Sequence, residues 1–183
     1  TGTVCVVVPA HNEQDTIAAA LRSVETQSLW QRDSVHGQII AACNGCSDGT
    51  VEVAQAHADR SDLAVAYRVL DLPLPGKSRA WNSVRELLSD HVDDGVVVFM
   101  DSDVRIESTT ALAELVAKDL TEIGHAQALR GSDVDAMLTW ERAQELVGCK
   151  DAACFANLDA ALAAALVLSL ERMNKMQPVD LLG

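Results

Sequence analysis

Short apolar runs alternate with stretches of helical periodicity through the first hundred residues, and this alternation narrows the possible folds more than any other feature. Val4 to Val8 is a continuous apolar run, the pattern of a strand covered on both faces. Ile17, Leu21, Val24 and Leu29 then line one side of a helix. Gln38 to Ala42 is again short and apolar, and Ser47-Asp48-Gly49-Thr50 opens a second helix carrying Val51 and Ala54. Ala64 to Leu70 reads as a third strand, ended by Pro73 and Pro75. Gly76-Lys77-Ser78 leads into a helix with Trp81, Val84, Leu87 and Leu88. A solvated acidic turn, Asp90 to Gly95, precedes a fourth strand at Val96 to Met100. Strand and helix repeated in this way predict an α/β fold, a mostly parallel Rossmann-like sheet with helices on both faces and right-handed crossovers. Such sheets bind ligands beyond the carboxyl ends of their strands. The loops after Val8, Ala42, Leu70 and Met100 are therefore the ones to inspect.

The alternation is less regular after Asp103. Leu112, Leu115, Val116, Leu120 and Ile123 predict an amphipathic helix, and His125 to Leu129 a fifth strand. Ser132 with Asp135 three residues on is a capping box for a helix through Val134, Leu138 and Val147. Between Ala152 and Leu170 the Ala- and Leu-rich sequence favours helix, whereas Ala165 to Leu170 fits a closing strand equally well. With no repeat and no low-complexity linker, residues 1–183 read as a single α/β domain. Residues 111–183 are its atypical C-terminal segment.

Charge and composition exclude several roles. A chain of 183 residues with 49% hydrophobic and 22% charged residues is globular in composition and long enough to bury ~70% of its unfolded surface. Its net charge of −13, with both halves acidic, disfavours nucleic acid and anionic lipid. The longest uncharged apolar run, Ala160 to Leu170, is shorter than the ~20 residues of a membrane helix. Thr1 in place of an initiator Met implies a trimmed or processed end, and no signal peptide is expected. Five Cys stand at 5, 43, 46, 149 and 154. Cys43/Cys46 with Cys149/Cys154 would suffice for a four-thiolate zinc site, but buried or loop thiols are the simpler reading. Their odd number and spacing favour a reducing compartment and hence the cytoplasm.

The four loops share a chemistry. Pro9-Ala10-His11-Asn12-Glu13 stops the first strand and places polar groups at the next helix start, where Asn12 also fits as a cap. Cys43 to Thr50 packs two Gly among small polar groups, which lets backbone approach a ligand closely or simply makes a turn. Gly76-Lys77-Ser78-Arg79 sets two cations at a helix start, unfavourable against the helix dipole unless an anion is near. It is not a P-loop, since Asp71 stands where the upstream glycine belongs. Met100-Asp101-Ser102-Asp103 ends the fourth strand with two carboxylates that repel unless a cation or donors compensate. Oxygen-only ligands of this kind suit Mg²⁺ or Mn²⁺ completed by substrate phosphates.

Val6-Val7-Val8-Pro9-Ala10-His11-Asn12-Glu13, Asn44 to Thr50, Gly76-Lys77-Ser78 with Asn82, and Val98-Phe99-Met100-Asp101-Ser102-Asp103 together resemble the donor-binding half of family 2 glycosyltransferases. They occur in that family's order and cover residues 1–110. The resemblance implies a nucleotide-binding half of a glycosyltransferase A-type fold that takes a nucleotide-diphosphate sugar, a uridine diphosphate sugar being one such donor, with Mn²⁺ or Mg²⁺. It implies that Pro9, Ala10 and Glu13 face the nucleotide and that Asn44 stands by the base. Lys77 would lie near the nucleotide, Asp101 near the ribose or donor sugar, and Asp103 would hold the metal. Cys43 replaces an acid common in the family.

Inverting transfer needs a general base for the acceptor hydroxyl. The family places it well downstream in a Glu-Asp-type motif, and no Glu-Asp follows Asp103 here. Asp133, in Gly131-Ser132-Asp133-Val134-Asp135, is the nearest candidate, although Asp135 is already the cap partner. The tryptophan-bearing motif that closes the family's site has no match, and Trp140 reads as packing. Gly131 to Leu138, Gly148 to Cys154 and Ala160-Ala161-Leu162 resemble instead a small α/β domain of bacterial envelope proteins, the type at the TolB amino-terminal end and in curli-assembly lipoproteins. That resemblance covers residues 111–172 and implies a Cys149–Cys154 bridge. The two resemblances together imply a truncated or recombined fold, a chimera. The expected function is nucleotide-sugar binding with inverting transfer if complete, the alternative being a structural or interaction module without turnover.

Overall fold

The computed structural model describes residues 2–88, 95–132, 135, 138–139, 141–143 and 145. The chain divides into two compact units, Thr1–Ala111 and Leu112–Gly183. In the first, β1 (Gly2–Ala10), β2 (Val35–Asn44), β3 (Ala66–Leu72) and β4 (Val96–Phe99) form one sheet in the order β3-β2-β1-β4. All three pairings are parallel, with Val7 opposite Ile40 on one side and Phe99 on the other. Helices α1 (Ile17–Glu25), α2 (Thr50–Ala58) and α3 (Lys77–Leu88) connect the strands.

Both faces are covered because Val4–Val8 of β1 and Ile39–Ala42 of β2 are apolar at successive positions, not at alternate ones. Cys5, Val7, Ile40 and Ala42 pack with Ala80, Val84 and Leu88 of α3. Their neighbours Val6, Val8, Ile39 and Ala41 point the other way by the strand's period of two and are equally buried. There Ile17, Ala20, Leu21 and Val24 supply the inner face of α1, and α1 packs on α2. The chain steps from β1 to β2 to β3 with α1 and α2, then crosses back to β4 with α3 on the opposite face. A fixed right-handed crossover requires that switch of face. The reversal between β1 and β4 opens a crevice beyond their carboxyl ends, the usual ligand position in open parallel sheets.

Several sequence expectations need correction. The third strand is Ala66–Leu72, two residues later than expected, since Pro73 alone is enough to end it. Leu29 belongs to a separate 3-10 turn, Ser28–Gln31, and not to α1. In the second unit, α4 runs Ala111–Leu129, so His125 to Leu129 is helix and not a fifth strand. Ala126, Gln127, Ala128 and Leu129 are good helix formers, and the stop comes only at Gly131. With φ of 82°, that glycine turns the chain so that the Arg130 and Ser132 amides both donate to the Gln127 carbonyl, a glycine-dependent helix end. Leu112, Val116 and Leu120 are buried, whereas Leu115 and Ile123 are exposed, so the apolar stripe is narrower than the sequence implied. Beyond Ser132, residues 135, 138–139, 141–143 and 145 are helical. Asp133, Trp140, Cys149, Cys154 and the segment 152–170 lie outside the described residues.

Candidate functional site

The four strand-end loops meet. A cavity of about 330 Å³ is lined by Pro9, Ala10, His11, Glu13, Asn44, Gly76, Lys77, Asp101, Ser102 and Asp103. Every nucleotide or metal residue expected from sequence is on this wall. Asp133 lies outside the described residues, so the structure does not place it.

Asn44 organises the rim. It ends β2 and is only 3% exposed. Its Nδ2 donates to the Ala10 carbonyl at 2.8 Å, and its Oδ1 accepts from the Gly76 amide at 3.0 Å. Its own carbonyl bonds His11 Nδ1 at 2.7 Å. One residue thus joins the end of β1 to the turn before α3, and its side chain is occupied within the protein. Gly45 follows with φ of 61°, and a Cβ there would lie 2.5 Å from the Pro75 nitrogen. Its amide donates to the Leu72 carbonyl at 2.7 Å. A close backbone approach, not a ligand, explains this glycine.

Asn12 is not the cap of α1. It adopts φ of 56°, a left-handed conformation that Asn tolerates, and its Oδ1 accepts the Ser47 amide at 2.8 Å. The first helical residue is Ile17, whose amide bonds the Glu13 carbonyl at 2.9 Å. Glu13 is half-buried; its amide donates to Thr50 Oγ1 at 2.7 Å and its Oε2 accepts Thr16 Oγ1 at 2.6 Å. Asp48 receives the Thr50 hydroxyl and the Thr50 and Gln14 amides. Those bonds, led by the Thr50 hydroxyl, hold its carboxyl below the usual carboxylate range.

Lys77 is the first residue of α3, and its Nζ pairs with Asp101 Oδ1. The anion that relieves the charge–dipole conflict is therefore the first carboxylate of the acidic loop. In that loop the Val104 amide closes a turn onto the Asp101 carbonyl at 3.1 Å, with Ser102 buried beneath it. Asp103 is exposed and has no partner among the described residues. Arg105, which sequence reasoning passed over, clamps the loop. Its guanidinium donates to the carbonyls of Ser102 (3.1 Å) and Val104 (2.8 Å), and to that of Thr16 (2.9 Å) before α1. A lone Arg two residues after a carboxylate pair was the available sign.

The electrostatics of this wall are lopsided. Glu13, Asp101 and Asp103 face one Lys77, and Asp101 already has that cation. An anionic ligand would meet a net negative rim unless it arrived with a cation. No group of three or more His, Cys, Asp or Glu among the described residues is arranged to hold a metal ion. The donor set of hard oxygens still fits Mg²⁺ or Mn²⁺, which bind through one or two carboxylates and keep places for water and phosphate.

A model of glycosyl transferase family 2 matches residues 5–148. The chain belongs to glycosyl transferase family 2. The match runs through all four strands, the cavity loops and α4, further than the 1–110 that the motifs cover. No curated protein matches the sequence. Membership ties the chain to glycosyl transfer, and the Rossmann-like parallel sheet agrees with it. Among the described residues no helix is long and apolar enough to cross a membrane.

Proposed function

We propose that the unit Thr1–Ala111 binds a nucleotide-diphosphate sugar together with Mn²⁺ or Mg²⁺, as the donor half of an inverting glycosyl transfer. The observation that carries this reading is the convergence of four sequence-distant loops on one cavity at the β1/β4 reversal. Pro9 and Ala10 form the floor beneath the nucleoside. Asn44 acts by holding Ala10 and Gly76 in place, with its carbonyl fixing the imidazole of His11 at the mouth. Lys77 exchanges Asp101 for a phosphate oxygen, which frees Asp101 for the ribose or the donor sugar. Asp103 would hold the divalent ion, which when bound would supply Lewis-acid stabilisation to a departing diphosphate. Arg105 keeps the Asp101–Val104 turn against the start of α1, so that only the Asp101 side chain has to exchange its partner when the ligand enters.

Transfer also requires a base for the acceptor hydroxyl. Asp133 is the candidate, and these 183 residues are expected to bind donor weakly and to transfer slowly or not at all. Titration of uridine diphosphate by calorimetry, with and without Mn²⁺, tests the reading. Heat should depend on Mn²⁺ and vanish in Asp103→Ala. Heat that ignores both would overturn the metal role of Asp103, and no heat at all would favour a structural or interaction module that keeps the old loops without a working pocket.

A further inference from the structure

Two cysteines flank the wall residue Asn44 in the chain and take no part in the chemistry proposed for the cavity. Cys43, next to last in β2, is buried and lies opposite Ala10 in the β1/β2 register. Cys46 is half-buried, and its Sγ donates back to the Ala10 carbonyl at 3.6 Å. Cys43 and Cys46 thus both neighbour one residue, Ala10, and the Cys46 thiol is near enough to Cys43 to help raise its pKa. The left-handed turn at Gly45 brings Cys46 back onto Ala10, the register partner of Cys43. Asn44, between the two cysteines in the chain, holds Ala10 and Gly76, and all three line the cavity.

We propose that Cys43 and Cys46 form a reversible dithiol–disulfide pair whose oxidation disturbs the nucleotide cavity through Asn44. The oxidant is a low-molecular-weight disulfide of the glutathione type. The Cys46 thiolate attacks one of its sulfurs, forming a mixed disulfide and releasing one thiolate. The Cys43 thiolate then attacks the Cys46 sulfur, closing the protein disulfide and releasing the second thiolate. Two protein thiols give up two electrons and two protons, and one external disulfide becomes two thiols. The order follows from access, since Cys46 is the half-exposed sulfur. Burial, with smaller contributions from Cys46, Asp71 and Asp48, pushes Cys43 up to about 12, which makes closure the slow step.

An S–S bond of ~2.05 Å brings two sulfurs closer than any non-bonded contact does. Closure pulls Cys46 off the Ala10 carbonyl and tightens a four-residue ring around Asn44. Asn44 cannot then keep its bonds to both Ala10 and Gly76. The effect on nucleotide rests on the function proposed above; the disulfide itself does not.

The test treats the full chain with oxidised glutathione, maps the peptides by mass, and titrates uridine diphosphate with Mn²⁺ before and after. The expected result is a Cys43–Cys46 crosslink, at least fivefold weaker nucleotide binding, recovery with dithiothreitol, and no oxidant sensitivity of binding in Cys46→Ser. A map showing both thiols free, or glutathione held on Cys46 without closure, would overturn the pair. A crosslink with unchanged nucleotide affinity would overturn its link to the cavity. If reduced protein binds no nucleotide, the donor reading fails, while the peptide map still decides the thiol pair.

Discussion

Replacing Asn44 probes the junction on which the cavity depends. In Asn44→Ala the Ala10 carbonyl loses its 2.8 Å donor and the Gly76 amide its 3.0 Å acceptor. Each abandoned partner at a largely buried position costs about 1–3 kcal/mol. The weak Cys46 thiol bond that the Ala10 carbonyl keeps, with partial rehydration of the Gly76 side, puts the sum at about 3 kcal/mol. At roughly 4 °C per kcal/mol for a domain of ~100 residues, the melting temperature should fall by about 12 °C. Asn44→Asp separates the two bonds. An ionised carboxylate still accepts from Gly76 but opposes the Ala10 carbonyl, whereas the protonated acid can donate to it. Burial and this repulsion raise the pKa of the introduced acid in the folded state above its unfolded value. The variant should therefore approach wild-type stability at acid pH and lose it as pH rises through the folded pKa. Chemical denaturation from pH 4 to 8 reads both variants. An alanine variant within 0.5 kcal/mol of wild type, or an aspartate variant insensitive to pH, would refute the structural role given to Asn44.

Other outcomes follow from the same geometry. Gly45→Ala forces a Cβ to 2.5 Å from the Pro75 nitrogen at φ of 61° and should destabilise by about 2 kcal/mol or more in urea unfolding. Arg105→Ala removes three hydrogen bonds from the acidic loop; Mn²⁺-dependent nucleotide affinity should fall about tenfold while the unfolding midpoint moves little. Asp48, held below the usual carboxylate range, contributes stability that is complete above its unfolded pKa and lost as pH falls through the folded one. Carbon-detected NMR titration should place its midpoint below the ordinary aspartate range, and Thr50→Val, which removes the largest contribution but keeps the amide bonds, should narrow the difference.

The parts of the fold that were legible in the sequence are those where one physical demand dominates. Val4 to Val8 and Ile39 to Ala42 are apolar at successive positions because both faces of a central parallel strand are covered. The loops declared themselves through chemistry that a simple turn does not need, such as Lys77 at a helix start and Asp101 beside Asp103. Sequence reasoning lost ground where two demands coincide. His125 to Leu129 satisfies strand and helix patterns alike, and Gly131, which ends the helix, was read as part of a motif instead. Asn12 and Asn44 are both polar residues in ligand-facing loops. The structure occupies their side chains with backbone partners thirty or more residues away, a long-range pairing that no local pattern encodes. Arg105 escaped for the same reason, since its partner at Thr16 is distant in sequence.

The central claim is that the four loops bind nucleotide diphosphate and a divalent ion in one cavity, and paramagnetic broadening by Mn²⁺ reads it most directly. With uridine diphosphate present, the amide signals of Asp101 to Val104 should broaden first, followed by those of Ala10 to Glu13, Gly45 and Gly76. Without nucleotide, or in Asp103→Ala, these signals should stay sharp. Broadening centred elsewhere on the molecule, or identical with and without nucleotide, would contradict the account.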